Sequence, residues 1–129
     1  IYNVHLDTRL NLSERLQQLS PVLQHARRAD SPTLIGGDFN TNPYLWVGRM
    51  LPLPFLGHQA EGVAQHMQKA GYKSSLKLGA ATHDLFGMQL DWVFVRHIRV
   101  RQGEVHRMPI SDHHALRVDF DDLPSAMLD

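Results

Sequence analysis

The chain has 129 residues, 43% of them hydrophobic, with 13 basic and 13 acidic side chains and a formal net charge of zero. That is enough apolar material for one modest core, while a balanced charge offers no global field to recruit nucleic acid or an anionic membrane, so any such attraction must be local. The lack of cysteine excludes a disulfide framework, a thiol nucleophile and cysteine-ligated zinc; no apolar run reaches the length of a membrane span and no secretory-signal pattern is present, so the sequence assigns no compartment.

In chain order, Tyr2 to Leu6 reads as a short buried strand and Asp7-Thr8-Arg9 as a loop. Asn11 with Glu14 three positions on has the pattern of a capping box. Leu12, Leu16, Leu19, Leu23 and Ala26 then recur at helical spacing, which predicts an amphipathic helix packed on a sheet. Ser20-Pro21 should kink this helix or split it in two, because proline gives no N–H to the ladder. Asp30-Ser31-Pro32 closes the helical region, and Thr33 to Gly37 is a second buried strand ending at Asp38. Between Asn42 and Gly62, Pro43, Pro52, Pro54, Gly48 and Gly57 interrupt the apolar residues, and the expectation is a short helix and a loop. Trp46 and the stretch from Met50 to Leu56 are expected to pack on the sheet, the alternative being a base-stacking or lipid-facing loop. Glu61 to Ala70 reads as a helix stopped by Gly71. Leu90 to Val95 and Ile98 to Gln102 read as successive strands, Ala115 to Phe120 as a half-buried strand, and the tail after Asp121 as loosely held. With no repeat or linker, one folding unit over 1–129 with mixed α/β layers is the simplest reading.

Three short strings stand out, each at a predicted strand end: Gly36-Gly37-Asp38-Phe39-Asn40, Leu90-Asp91-Trp92-Val93-Phe94-Val95 and Ser111-Asp112-His113. Hydrolysis of a phosphate ester needs charge neutralisation at the phosphoryl oxygens, a base for the attacking water and donors aimed at the transition-state anion. Carboxylate, amide and imidazole side chains can supply these. In extended chain Asp38 and Asn40 share a face while Phe39 points the other way; the same tripeptide also suits a turn whose side chains satisfy each other. Asp91 lies among Leu90, Trp92, Val93 and Phe94, where a carboxylate is costly to bury without a partner. His113 follows a turn and leads into a strand, and an imidazole with its ordinary pKa near ~6.5 suits proton handling. His5, alone between Val4 and Leu6, reads from its surroundings as a core or edge residue.

Together with Tyr2-Asn3-Val4-His5-Leu6, and in this order, the strings resemble the endonuclease/exonuclease/phosphatase superfamily of metal-dependent phosphoesterases. The resemblance implies an α/β (α+β) fold, half of a four-layer α/β/β/α sandwich of the deoxyribonuclease I-like type, with the chain as its C-terminal portion. It implies that Asp38 orients or deprotonates the nucleophilic water and reaches the metal, that Asn40 and His5 contact the phosphate, and that Asp112 is a metal ligand, direct or through water. It further implies that Asp91 holds the tautomer of His113, that His113 acts as general base or protonates the phosphate, and that His83, in Thr82-His83-Asp84, lines the substrate groove. The expected cofactor is Mg2+, with Mn2+ or Ca2+ as substitutes. The expected substrate is a phosphate ester, nucleic acid ahead of lipid; the inositol-phosphatase version is disfavoured because the segment before Asp91 lacks its signature. The family also carries an asparagine and a metal-binding glutamate in an N-terminal half that this sequence does not contain. The expectation is therefore a weak or inactive catalyst by itself, with an open sheet face suited to a homodimer, a swapped assembly or a bound N-terminal fragment.

Competing readings explain less. Asp112-His113-His114 matches by string a triad of another manganese-dependent phosphoesterase family, which leaves Asp38, Asn40 and Asp91 without a role. No His-Glu-x-x-His pair supports a zinc hydrolase. Arg96, Arg99, Arg101 and Arg107 could steer a phosphate backbone, although a solvated strand face accounts for them more simply. A non-catalytic scaffold or binding domain that retains the fold is the second functional reading.

Overall fold

The computed structural model describes residues 1–29 and 31–121. Asp30, expected at the close of the first helix, and 122–129, expected as a loose tail, lie outside the described residues. The elements in chain order are β1 (Tyr2–His5), α1 (Leu12–Arg28), β2 (Thr33–Asp38), β3 (Leu45–Val47), β4 (Leu51–Leu53), α2 (Gln59–Lys69), β5 (Lys73–Ser74), a 3-10 turn (Leu85–Gly87), β6 (Asp91–Arg96), β7 (Val100–His106) and β8 (Ala115–Phe120). Four strands form one sheet in the order β1-β2-β6-β5, while β3 with β4 and β7 with β8 make separate two-stranded sheets. β1 runs parallel to β2, and β6 runs antiparallel to both β2 and β5.

Alternation along the strands decides which face is covered. Val4, Ile35, Trp92 and Phe94 are buried and form one cluster with Leu19, Leu23 and Ala26 of α1 and Val63 and Met67 of α2, so both helices pack on this face. Trp92 and Phe94, two residues apart on one strand, stack with ring centroids 5.1 Å apart, and Phe39 meets Phe94 edge-on at 5.4 Å. The opposite face carries His5, Asp38 and Asp91 in one row, since directly paired residues point to the same side.

Local sequence accounts for the helix boundaries. The Asn11 backbone N–H donates to Glu14 Oε2 (3.1 Å), as a capping pair should. α1 continues through Pro21 without a break, correcting the expected kink or split. Pro21 lies on the exposed side, so the Gln17 carbonyl that loses its helical donor can turn to water, while buried Leu19, Leu23 and Ala26 hold the helix to the sheet. α2 ends where Gly71 N donates to Gln68 O (3.0 Å) and Tyr72 N to Met67 O (3.0 Å), both closing free carbonyls of the last turn.

The stretch expected as a short helix and a loop is a β-hairpin, β3 with β4. Its turn is built on Gly48 and Arg49, both with positive φ (57° and 59°), the backbone that matches the twist of paired strands. Met50, Leu51, Phe55 and Leu56 are 87%, 57%, 66% and 59% exposed, so this segment does not pack on the sheet as expected. It is fastened instead by Asn11, whose side chain donates to Trp46 O and accepts from Trp46 N, each at 2.8 Å. β7 runs on to His106, beyond the expected end at Gln102, because β8 pairs with it along its length. Gly103 of β7 lies so close to the Ser75 carbonyl that a Cβ there would come within 2.1 Å of its oxygen.

The loops at the working end of the sheet converge on Arg15, a fully buried residue of α1. Its guanidinium donates to Asp7 O (3.0 Å), Leu10 O (2.9 Å), Phe39 O (2.7 Å) and Gln59 Oε1 (2.5 Å), satisfying four acceptors from three segments, the loop after β1, the loop after β2 and the start of α2. Burial lowers its pKa to about 10, opposed by the charges of Asp38, Asp7 and Glu14. Leaving such acceptors unpaired costs about 1–3 kcal/mol each before relaxation. Replacement by methionine is therefore expected to cost roughly 3 kcal/mol or more in urea unfolding, and lysine, lacking the fork, should restore little of it; a loss below about 1 kcal/mol would contradict the assignment.

Candidate active site

Strand register builds the site. His5 is the last residue of β1, Asp38 the last of β2 and Asp91 the first of β6, and the pairings His5 with Asp38 and Asp38 with Asp91 place them in one row at one end of the sheet. His5 Nε2 lies 3.7 Å from Asp38 Oδ2, and its side chain is 80% exposed. At the other end of the row, His113 Nδ1 is hydrogen-bonded to Asp91 Oδ2 at 2.8 Å. Ligand atoms of Asp38, Asp91 and His113 all fall within 4.8 Å of one another, as do those of His83, Asp112 and His113. The cluster therefore has His113 at its centre and a carboxylate on either side.

Beyond Asp38 the chain turns sharply. Phe39 is buried beneath the sheet and donates its N–H to Leu90 O (2.8 Å); Asn40 takes a positive φ of 50°. Asn40 N donates to Asp38 Oδ1 (2.8 Å), the self-satisfying turn that short polar residues favour. Its side-chain Nδ2 donates to Leu6 O (2.7 Å) and Asp38 Oδ2 (3.1 Å), and its Oδ1 accepts from the Thr8 hydroxyl (2.6 Å). Asn40 is buried, and both hydrogens of its amide are engaged, one of them on the Asp38 carboxylate.

Asp112 and His113 arrive from the connection between β7 and β8. The Ser111 hydroxyl oxygen accepts from His113 N (3.1 Å), shaping the turn. The Asp112 side chain is 74% exposed and lies 3.3 Å from His83 Nε2, whose own side chain is only 12% exposed. His114, the third residue of the alternative triad, places Nε2 3.5 Å from Asp84 rather than in the Asp38 group. The arginines do not form a common groove: Arg96 caps the carbonyls of Ala26 (2.7 Å) and Ala29 (2.9 Å), Arg99 and Arg101 pair with Asp121, and Arg107 pairs with Asp84.

Two residues that sequence reading missed support the row. Thr82, fully buried, accepts from both Leu90 N and Asp91 N at 2.9 Å through its hydroxyl. Nothing in the sequence marks it. Arg15 was visible in principle, as a charge three residues after Leu12 and four before Leu19 on the apolar stripe. The hollow of about 350 Å³ between α2 and β5, lined by Glu61, Tyr72 and Leu78 among others, shares no residue with the cluster.

Proton affinities follow from these contacts. Burial raises the pKa of Asp38 above the ordinary carboxylate range; the Asn40 N–H bond works against this and the Asp91 charge adds to it. For His113, partial burial lowers the pKa, but the Asp91 hydrogen bond and the charges of Asp91, Asp38 and Asp112 outweigh it, leaving it above the ordinary histidine value. Asp112 is held low, first by its own backbone N–H and further by the two histidines beside it. Such an arrangement gives a carboxylate that accepts a proton more readily than usual beside an imidazole that keeps one.

Comparison with known proteins falls in line with the fold. The chain belongs to the Endonuclease/Exonuclease/phosphatase family, whose model matches residues 3–113. The mixed α/β fold agrees with that membership. Two UPF0294 proteins of Vibrio vulnificus, from strains YJ016 and CMCP6, are each 25% identical to it over 122 residues, spanning 93% of this chain and 38% of theirs. The chain therefore covers well under half the length of these curated relatives. The crystal structure of a functionally unknown conserved protein from Enterococcus faecalis V583 shares the fold, with a TM-score of 0.60 at 24% identity over 92% of this chain and 49% of that one.

The His113 shift has a measurable sign. A histidine whose pKa is raised on folding contributes stability in full below its unfolded value, about 6.5, and loses that contribution as pH rises through the higher folded value. Asp38, raised likewise, carries a cost once it ionises, so it works in the same direction at lower pH. NMR titration should place His113 above about 6.5, and Asp91→Asn should bring it down; a His113 pKa unchanged by that substitution would contradict the pairing.

Proposed function

We propose that this chain provides the aspartate and histidine machinery of a metal-dependent phosphodiesterase that cleaves a P–O bond by in-line attack of water. The observation that carries the reading is the strip His5, Asp38, Asp91 along one sheet end with His113 bonded to Asp91 at 2.8 Å. Asp38, oriented by two bonds from Asn40, takes a proton from the attacking water, and its raised proton affinity suits that task. His113 has Nδ1 occupied by Asp91, which leaves Nε2 as the nitrogen offered to the phosphoryl or leaving oxygen, donating as charge develops there. His5, on the far flank of Asp38, is the exposed donor for a second phosphate oxygen.

The donor set suits a hard cation. Asp38 and Asp112 are the carboxylates that would supply its oxygens; they belong to two different groups that meet at His113, Asp112 is exposed and kept ionised, and oxygen ligands favour Mg2+ over zinc. When bound, such an ion offsets charge on the phosphoryl oxygens. The glutamate ligand implied by the family would come from an N-terminal half, and the face of the sheet opposite the helices is where such a half, or a second copy of the chain, would lie. Nucleic acid is favoured over lipid as substrate, since His5, Asp38 and Asp91 lie in one row across three neighbouring strands, a line that a phosphodiester backbone can follow.

The test is hydrolysis of bis(p-nitrophenyl) phosphate with Mg2+ by the chain, alone and complemented with an N-terminal half of the family. Complemented protein should turn over, chelation should stop it, and His113→Ala should lower kcat by about 100-fold or more with little change in melting temperature. Absence of turnover in the complemented wild type would favour the scaffold reading.

A further inference from the structure

We propose that Thr82-His83-Asp84 is the clamp that sets the spacing of the site, and that His83, with its proton on Nε2, is a positioning residue for the Asp112 carboxylate. Its functional meaning rests on the phosphoesterase reading above; its structural content does not.

The tripeptide is bonded to both sides of the Asp91–His113 pair. On one side the Thr82 hydroxyl accepts the backbone N–H groups of Leu90 and Asp91, each at 2.9 Å. On the other side Asp84 N donates to Asp112 O (3.0 Å) and His114 N to Thr82 O (2.8 Å), which makes His83 and His113 partners in an antiparallel bridge. The segment is itself anchored, because Thr82 N and His83 N both donate to Met88 O, at 2.9 and 3.0 Å. Without it, the strand end bearing Asp91 and the turn bearing Asp112 and His113 would have far fewer bonds between them.

The ring of His83 adds chemical direction to this backbone clamp. Its Nδ1 accepts from Leu85 N at 3.0 Å, so the neutral ring must carry its proton on Nε2. Nε2 is the atom 3.3 Å from Asp112 Oδ2. A donor on a side chain only 12% exposed is costly to leave unmatched, and at 3.3 Å the Asp112 carboxylate is within reach as its acceptor. The ring also stands edge-on to His113, with centroids 4.8 Å apart and planes at 90°, which limits how far His113 can swing. With Nδ1 accepting from Leu85 N and the proton on Nε2, the neutral ring of His83 has no lone pair left for a cation, so the grouping of His83, Asp112 and His113 acts as an orienting set and not as three ligands of one ion. Asp84 completes the clamp by drawing in Arg107 Nη2 (3.4 Å) and His114 Nε2 (3.5 Å).

Imidazole 15N NMR on the chain, together with a pair of side-chain mimics, tests this. The spectrum of His83 should show protonated Nε2 and bare Nδ1, and Asp112→Asn should move the Nε2 resonance. His83→Gln keeps a donor at the position of Nε2, whereas His83→Asn keeps only an acceptor at the position of Nδ1. In the complemented enzyme His83→Asn should lower kcat about tenfold or more with KM unchanged, and His83→Gln should recover most of it. A proton found on Nδ1, an Nε2 signal indifferent to Asp112→Asn, or higher kcat in the asparagine variant than in the glutamine variant would overturn the clamp. If the complemented wild type shows no turnover at all, the phosphoesterase reading fails, and the spectrum still decides the clamp.

Discussion

One buried guanidinium organises the end of the molecule where the chemistry lies. Arg15 reaches from α1 under the loop after β1, the loop after β2 and the start of α2, and all of its named partners but one are backbone carbonyls. Carbonyls cannot be titrated away, so the anchor does not depend on the protonation of a partner carboxylate. A charge withdrawn this fully from water stays only because its donors are matched. The Phe39 carbonyl it grips belongs to the Phe39–Asn40 peptide, and in this way a helix residue holds the turn that follows Asp38 and carries Asn40.

From that anchor the remaining geometry follows from pairing. Side chains alternate along strands, so a slip of one residue between β2 and β6 would carry Asp91 to the helix face and destroy the row. The stacked Trp92 and Phe94 oppose such a slip, since both would have to leave the core together. Burial raises the proton affinity of Asp38 and the Asp91 carboxylate beside it adds to this, while Asn40 offsets it with hydrogen bonds and His113, bonded to Asp91, with its charge.

The parts of this architecture with long apolar periodicity were legible in the sequence: α1 from Leu12 to Ala26, the strand ending at Asp38, the strand opening at Asp91, and β8 at Ala115 to Phe120. The short strings also marked which side chains would gather, because each lies at or beside one end of a strand: Asp38 closes β2, Asp91 opens β6 and His113 shortly precedes β8. Other features carry no such signal. β3 and β4 are three residues each, too short to show alternation, and their turn places Arg49 in a conformation usually taken by glycine or asparagine. Thr82 acts through hydrogen bonds to residues eight and nine positions away, which no local pattern encodes. Pro21 misled because a proline rule takes no account of which side of the helix faces solvent. Asn40 was placed correctly beside Asp38, yet how its amide is spent could be known only from the position of Thr8 and Leu6 around it.

The cluster draws on two sheets: Asp38 and Asp91 belong to the four-stranded one, while Asp112 and His113 ride on the link between β7 and β8. These sheets come together where Gly103 lies against the Ser75 carbonyl, a spot with no space for even a methyl group. A larger residue at position 103 would work as a wedge, prising the hairpin away and tilting the imidazole off its carboxylate without touching either. Alignment of the cluster is thus leveraged through a remote fulcrum, and tolerance to change at that glycine reports on the geometry of the site as much as on folding.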